Sequence, residues 1–218
     1  MKTVGILGGM GSYATVDFFR RIVDAFPAEK EWDRPRILID NNCIMPSRVR
    51  AILYHEQVDS LVAQMERSIN WLSDSGADII MMGCMTAHYF IGQMPHQEKL
   101  VNVTHLVQSA MQKEKEILVL CTEGSKDAGV WDNALSNMKC IYPDESQIVD
   151  LRRFIEIVKT GCVTEGEKRD FADFVNQLPC DAVLLGCTEL PIIASTDLIE
   201  KRIYDPIECA IAYLKEMV

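Results

Sequence analysis

The sequence predicts an α/β protein made of two similar Rossmann-like lobes with parallel sheets, related by a pseudo-two-fold repeat. Three observations predict it. Short aliphatic runs alternate with amphipathic helical stretches along the whole chain, the pattern of strand–helix–strand units. Asp78-Ile-Ile-Met-Met-Gly83-Cys84 and Asp181-Ala-Val-Leu-Leu-Gly186-Cys187 share the form Asp, four apolar residues, Gly, Cys, at an offset of 103 in 218 residues. Gly11-Ser12 and Gly124-Ser125 echo one another after corresponding strands, at an offset of 113. Two echoes at similar offsets on matching elements indicate two lobes of related design.

Val4 to Leu7 reads as the first strand, followed by a glycine-rich turn and a helix from about Thr15 to Ala25. Arg36 to Ile39 is the second strand. A helix follows in which Leu61, Met65, Ile69 and Leu72 recur at helical spacing, ending near Ser75-Gly76. Ile79 to Met82, Ile117 to Leu120 and Val183 to Leu185 are further short strands of the buried, parallel type. The first lobe is assigned to residues 1–98 with 206–218, and the second to 99–205.

The chain has 48% hydrophobic and 25% charged residues, a globular balance that excludes wholesale disorder. No apolar run approaches the roughly 18 residues of a membrane span. Met1-Lys2-Thr3 leads straight into a strand-like segment with no signal-peptide pattern. Twenty-two basic against 32 acidic residues leave a net charge of −10, the wrong sign for a nucleic-acid binder. A small anionic substrate needs only one or two well-placed cations and stays open. Eight cysteines form no CxxC pair, so a zinc ribbon or thioredoxin-type site has no support. Without a secretory signal they indicate a reducing cytoplasm.

Gly9-x-Gly11-x-x-Ala14 fits a dinucleotide fingerprint, and Asp40 ends the second strand where a ribose-binding acid would sit. The same glycines equally suit a tight strand-to-helix turn that wraps a small carboxylate with free N–H groups, and this is the preferred reading. Cys84 and Cys187 each follow a glycine at a strand end, each precede short polar residues that can open a helix, and are related by the repeat. A thiol at a helix N-terminus has its thiolate favoured by exposed N–H groups. Two such thiols facing one cleft can act on opposite faces of a single carbon, the geometry of stereoinversion.

Cys43, Cys121, Cys140, Cys162, Cys180 and Cys209 have no matched partner and read as structural. His88, four residues after Cys84, reads as a hydrogen-bonded structural histidine, with a Cys/His nucleophilic pair as the alternative. Met81, Met82 and Met85 read as core packing. Arg48 lies in a loop after the second strand, where it can offer a fork to a carboxylate, and Lys159 ends a helical pattern; neither stands out by spacing alone.

GILGGMGSYAT from Gly5 to Thr15, CMTAH from Cys84 to His88, TEGS from Thr122 to Ser125 and GCTELP from Gly186 to Pro191 together resemble the aspartate/glutamate racemase superfamily. The aspartate racemase branch is most similar, because GCTEL stands in place of the GCTHY of glutamate racemases. The resemblance runs in order across the whole chain. It implies an amino-acid racemase of two α/β lobes that needs no cofactor and no metal, usually a homodimer, with the site between the lobes.

By the same resemblance Cys84 and Cys187 are the acid/base pair. Arg48 binds a substrate carboxylate, and Lys159 matches the lysine of a helix-ending Lys-x-Gly. Thr86, Thr122, Ser125 and Thr188 position the α-carboxylate and amine, and Met10 and Gly11 line the pocket. Arg48 and Lys159 are expected to enter the cleft from different lobes as its only cations. Three positions depart from the pattern: Met85 replaces an Asn, Ser47 an Asp, and Ser12 a Pro. Loss of the Asn amide removes an expected hydrogen bond to the substrate, so Met85 is expected to alter substrate range while sparing the acid/base step. Other two-thiol chemistry on a small dicarboxylate, isomerisation or decarboxylation, and a non-catalytic ligand-binding role are the competing readings.

Overall fold

The computed structural model describes residues 1–218. In the first lobe β1 (Val4–Gly8) leads to α1 (Ser12–Ala25) and β2 (Ile37–Asn41). Then come α2 (Arg48–Tyr54), α3 (Val58–Asp74), β3 (Ile79–Met82), a 3-10 helix (Thr86–Gln93) and β4 (Leu100–Val101). A connecting helix, α4 (Val103–Ala110), enters the second lobe, which runs β5 (Glu116–Leu120), α5 (Glu123–Asp127), α6 (Val130–Ala134) and β6 (Lys139–Ile141). It continues through α7 (Glu145–Thr160), α8 (Glu165–Gln177), β7 (Ala182–Leu185), α9 (Leu190–Ile193) and β8 (Arg202–Tyr204), and α10 (Pro206–Met217) closes the chain.

Each lobe holds a four-stranded, all-parallel sheet, in the orders β2-β1-β3-β4 and β6-β5-β7-β8. The two orders are identical once the second set is shifted by four strands, which is the pseudo-two-fold repeat in topological form. The expected boundary at 98 falls short. Leu100 and Val101 pair with Ile80 and Met81 and so complete the first sheet. The two-residue strand was too short to carry a pattern of its own.

Parallel strands need cover on both faces, and three apolar clusters supply it. One lies outside the first sheet and is dominated by Leu61, Met65, Ile69 and Leu72 of α3. Another lies outside the second sheet, where Phe154 of α7 and Phe171 of α8 meet edge to face. The third joins the lobes, with Ile6 and Phe18 of the first, Val119 and Trp131 of the second, and Ile207 and Ile211 of α10. This shared cluster makes the two lobes one packed body. No helix is long and apolar enough to cross a membrane.

Both ends of α7 are fixed by local chemistry. Asp144 caps its start in a reciprocal capping box with Gln147. At its other end Gly161 takes a left-handed conformation with φ 72°, and the Tyr13 phenol of the first lobe lies over it where a Cβ would stand. Gly161→Ala therefore meets left-handed strain of roughly 1–2 kcal/mol and the Tyr13 overlap together. We expect chemical denaturation to show a loss above that strain, and Tyr13→Ala to recover the excess in the double mutant.

Candidate active site

The site is assembled where the carboxyl ends of the two sheets meet. Gly83 and Gly186 end the central strands β3 and β7, and the next residues are Cys84 and Cys187. Both thiols are free, 8% and 6% exposed respectively. The Thr188 hydroxyl donates to the Gly83 carbonyl at 3.2 Å, tying the second Gly-Cys turn to the first across the lobe interface.

Each turn is braced from behind by a buried ring N–H. Trp131 Nε1 donates to the Gly186 carbonyl at 3.2 Å, and a Cβ on Gly186 would strike the indole. His88 Nδ1 lies 3.0 Å from the Cys84 carbonyl, while its Nε2 lies 3.3 Å from the Val103 N–H. One nitrogen must donate and the other accept, so the ring is neutral. Burial pushes its pKa down to about 4. His88 is thus the structural brace of the Cys84 turn.

The helices after the cysteines are shorter than expected. Cys84 precedes a 3-10 helix, and Cys187 a single turn, α9, with Pro191 near its start. The dipole does not make Cys187 acidic either. Burial first, and then the Glu189 carboxylate, raise its thiol well above the ordinary cysteine range. The thiol is protonated and donates to Glu189 Oε2 at 2.9 Å.

Glu189 is a candidate site residue that the sequence alone did not single out. It is only 4% exposed, and buried carboxylates are rare unless partnered. Its Oε2 receives the Cys187 thiol and lies 3.4 Å from the Thr188 hydroxyl. Its Oε1 lies against Gly11 of the other lobe, where any Cβ would overlap it. The available signal was a lone charged residue in the mostly apolar run from Leu184 to Ile193.

On the first-lobe side, Thr15 secures the glycine turn by accepting from the Gly9 N–H and donating to the Gly11 carbonyl. Gly9 has φ 78°, and the Asn42 backbone passes where its Cβ would be. The Asn42 backbone and the Glu189 carboxylate thus both pack directly against the glycines of this turn. Arg48 begins α2, whose cap Ser47 accepts from the Arg50 N–H. Its guanidinium donates to the Met10 carbonyl at 2.6 Å and to Pro46 at 3.1 Å, leaving a buried Nε without a partner.

Thr86, Thr122 and Ser125 form a triangle of hydroxyls across the interface, at 2.9, 2.9 and 3.1 Å. Lys159 pairs with Glu156 at 2.9 Å; burial opposes its charge, but the carboxylates of Glu156 and Glu189 raise its pKa above the ordinary lysine value. Arg50 and Arg152 line a groove with Lys159 that includes neither Cys84 nor Cys187. One expectation is corrected. Met85 belongs to the apolar cluster shared by the lobes and is 1% exposed, so its thioether is core and does not line the cleft. No group of three or more His, Cys, Asp or Glu side chains is arranged to hold a metal. A surface depression of about 780 Å³ beside the Arg21–Asp205 ion pair is lined by none of the candidate residues.

These contacts set how the fold and the Cys187 thiol respond to pH. A folded-state His88 pKa of about 4 against roughly 6.5 unfolded means a stabilising contribution present above pH 6.5 and lost as pH falls toward 4, worth about 3 kcal/mol in full. His88→Gln keeps a donor and an acceptor, and is expected to flatten stability over that window in denaturant titrations. Glu189→Gln removes the negative charge beside Cys187. The pH profile of Cys187 alkylation, followed by peptide mass spectrometry, should move to lower pH.

The profile of the family described as Asp/Glu/hydantoin racemase matches residues 7–214. The chain is 22% identical to the broad specificity amino-acid racemase RacX of Bacillus subtilis, over 94% of this chain and 93% of that protein. Among solved structures, Picrophilus torridus aspartate racemase superposes with a TM-score of 0.85 at 27% identity, covering 100% of this chain and 94% of that one. A glutamate racemase from Francisella tularensis, in complex with D-glutamate, gives a TM-score of 0.67 at 15% identity, covering 99% and 80%. With a family match over nearly the full chain and the same two-lobed parallel fold in these neighbours, the protein is an isomerase that belongs to the Asp/Glu/hydantoin racemase family.

Proposed function

We propose that the protein is a cofactor-independent amino-acid racemase in which Cys84 and Cys187 act on opposite faces of the substrate Cα. One observation carries this reading: two free thiols end corresponding strands of the two lobes, with their turns tied together by Thr188. A thiolate on one side takes the Cα proton, and the thiol on the other returns a proton to the opposite face. The pair ends each turnover with its protonation states exchanged.

For the direction in which Cys187 abstracts, its proton must leave first, and Glu189 Oε2 is the acceptor already in hydrogen-bond contact. In the other direction Cys187 is the thiol and donates. The carbanion forms beside the substrate carboxylate, so its charge needs fixed donors. The unpartnered Arg48 Nε can hold that carboxylate, and the hydroxyls of Thr86, Thr122 and Ser125 can turn from one another to the substrate. Cations at Arg48 and Lys159 favour an acidic amino acid, in line with relatives named for aspartate and glutamate. A homodimer and a cytoplasmic setting belong to the same reading, and sedimentation equilibrium checks the first.

The test is a panel of L- and D-amino acids followed by circular dichroism and by Cα proton exchange in deuterated water. Racemisation gives exchange with inversion, decarboxylation releases carbon dioxide, and a binding protein gives neither. Cys84→Ser and Cys187→Ser should each lower racemisation at least a hundredfold, the scale of a lost general acid or base, without unfolding the protein. Full activity in either variant defeats the two-thiol mechanism.

A further inference from the structure

Beyond the cysteines the lobes leave a groove of about 390 Å³ between α2 and α7, with Thr122 in its wall. From α7 it takes Ile148, Arg152, Ile155, Glu156 and Lys159, which share one helix face. The groove therefore follows α7 for roughly 16 Å at 1.5 Å per residue. Thr122, whose hydroxyl lies 2.9 Å from that of Thr86, links this groove to the reaction centre, and Lys159 lines it on the last turn of α7. Arg152 lies seven residues earlier, roughly 10 Å farther along the helix.

The charges of this groove come as pairs. Arg50 is held by Glu56 at 2.7 Å, Arg152 by Glu123, and Lys159 by Glu156 at 2.9 Å. Pairs this exposed are worth little and open readily. A ligand group of single charge that opens one leaves the like-charged partner unmatched. A terminus with both an ammonium and a carboxylate can enter the pair and satisfy both sides.

Resting on the racemase reading, we propose that this groove binds the far end of the substrate side chain and takes a terminus bearing both charges. An α,α′-diaminodicarboxylate is the simplest amino acid of that class. Arg152 and Glu123 are then specificity-determining residues, set well away from the reacting carbon.

Three compounds of similar chain length separate the charge requirements. Lysine ends in the ammonium alone, 2-aminoadipate in the carboxylate alone, and 2,6-diaminopimelate in both. With Cα proton exchange as the assay, kcat/KM for diaminopimelate should exceed that for either analogue, and for aspartate, by about tenfold or more. Arg152→Gln should remove that preference through KM, with kcat retained. Arg50→Gln, on the facing helix, is the second variant should the first unfold. Aspartate as the best substrate, or an equal loss on all four compounds in the variants, overturns the proposal.

If the wild type exchanges no amino acid at all, the racemase reading fails by itself. Calorimetry of diaminopimelate on Cys187→Ser then decides the groove. Binding weakened about tenfold by added Arg152→Gln supports the subsite, and unchanged or absent binding overturns it.

Discussion

A carboxylate buried at the seam of two lobes is the feature around which the site is organised. Glu189 is removed from water, and removal of a charge is costly unless its partners are already in place. The Cys187 thiol and the Thr188 hydroxyl meet one oxygen, and the bare Gly11 leaves room for the other. The positive charge of Lys159 lies close enough to be felt. Cys187 and Thr188 belong to the carboxylate's own turn, while Gly11 of the first lobe closes over its other oxygen. The protonation of Cys187 is a direct consequence, because a negative neighbour and burial both oppose a second negative charge.

Within a topologically symmetric frame the two thiols are chemically unequal. The sheets have the same strand order, and each Gly-Cys turn hangs from a buried ring nitrogen. One ring is a histidine that must stay neutral and the other a tryptophan that can only donate. Only the second-lobe thiol has a carboxylate in contact. A repeated scaffold can place two like groups at corresponding strand ends, while a local residue such as Glu189 changes the surroundings of one of them.

The lobe interface closes through small residues. Gly11 admits Glu189, Gly161 admits Tyr13, and Gly124 admits Val49 of α2. Between α2 and α7 the lobes leave the open groove lined by Arg50, Arg152 and Lys159.

Much of this was legible in the sequence. Aliphatic runs and helical periodicity located the central strands and α3, because burial on both sheet faces demands such runs wherever the chain folds. The repeated Asp-to-Cys segments located both thiols, because a glycine turn at a strand end is a local requirement. Other features arise only when distant segments meet. β4 has two residues and exists through its pairing with β3. Met85 faces the shared core because the lobes pack there. The Cys187 thiol is raised by burial and then by a carboxylate that lies against a glycine some 180 positions away in the chain. Strand identity and turn chemistry follow from neighbours in sequence. The ionisation of the site, and the cations available to a substrate, depend on burial and on through-space charge, which the tertiary structure alone decides.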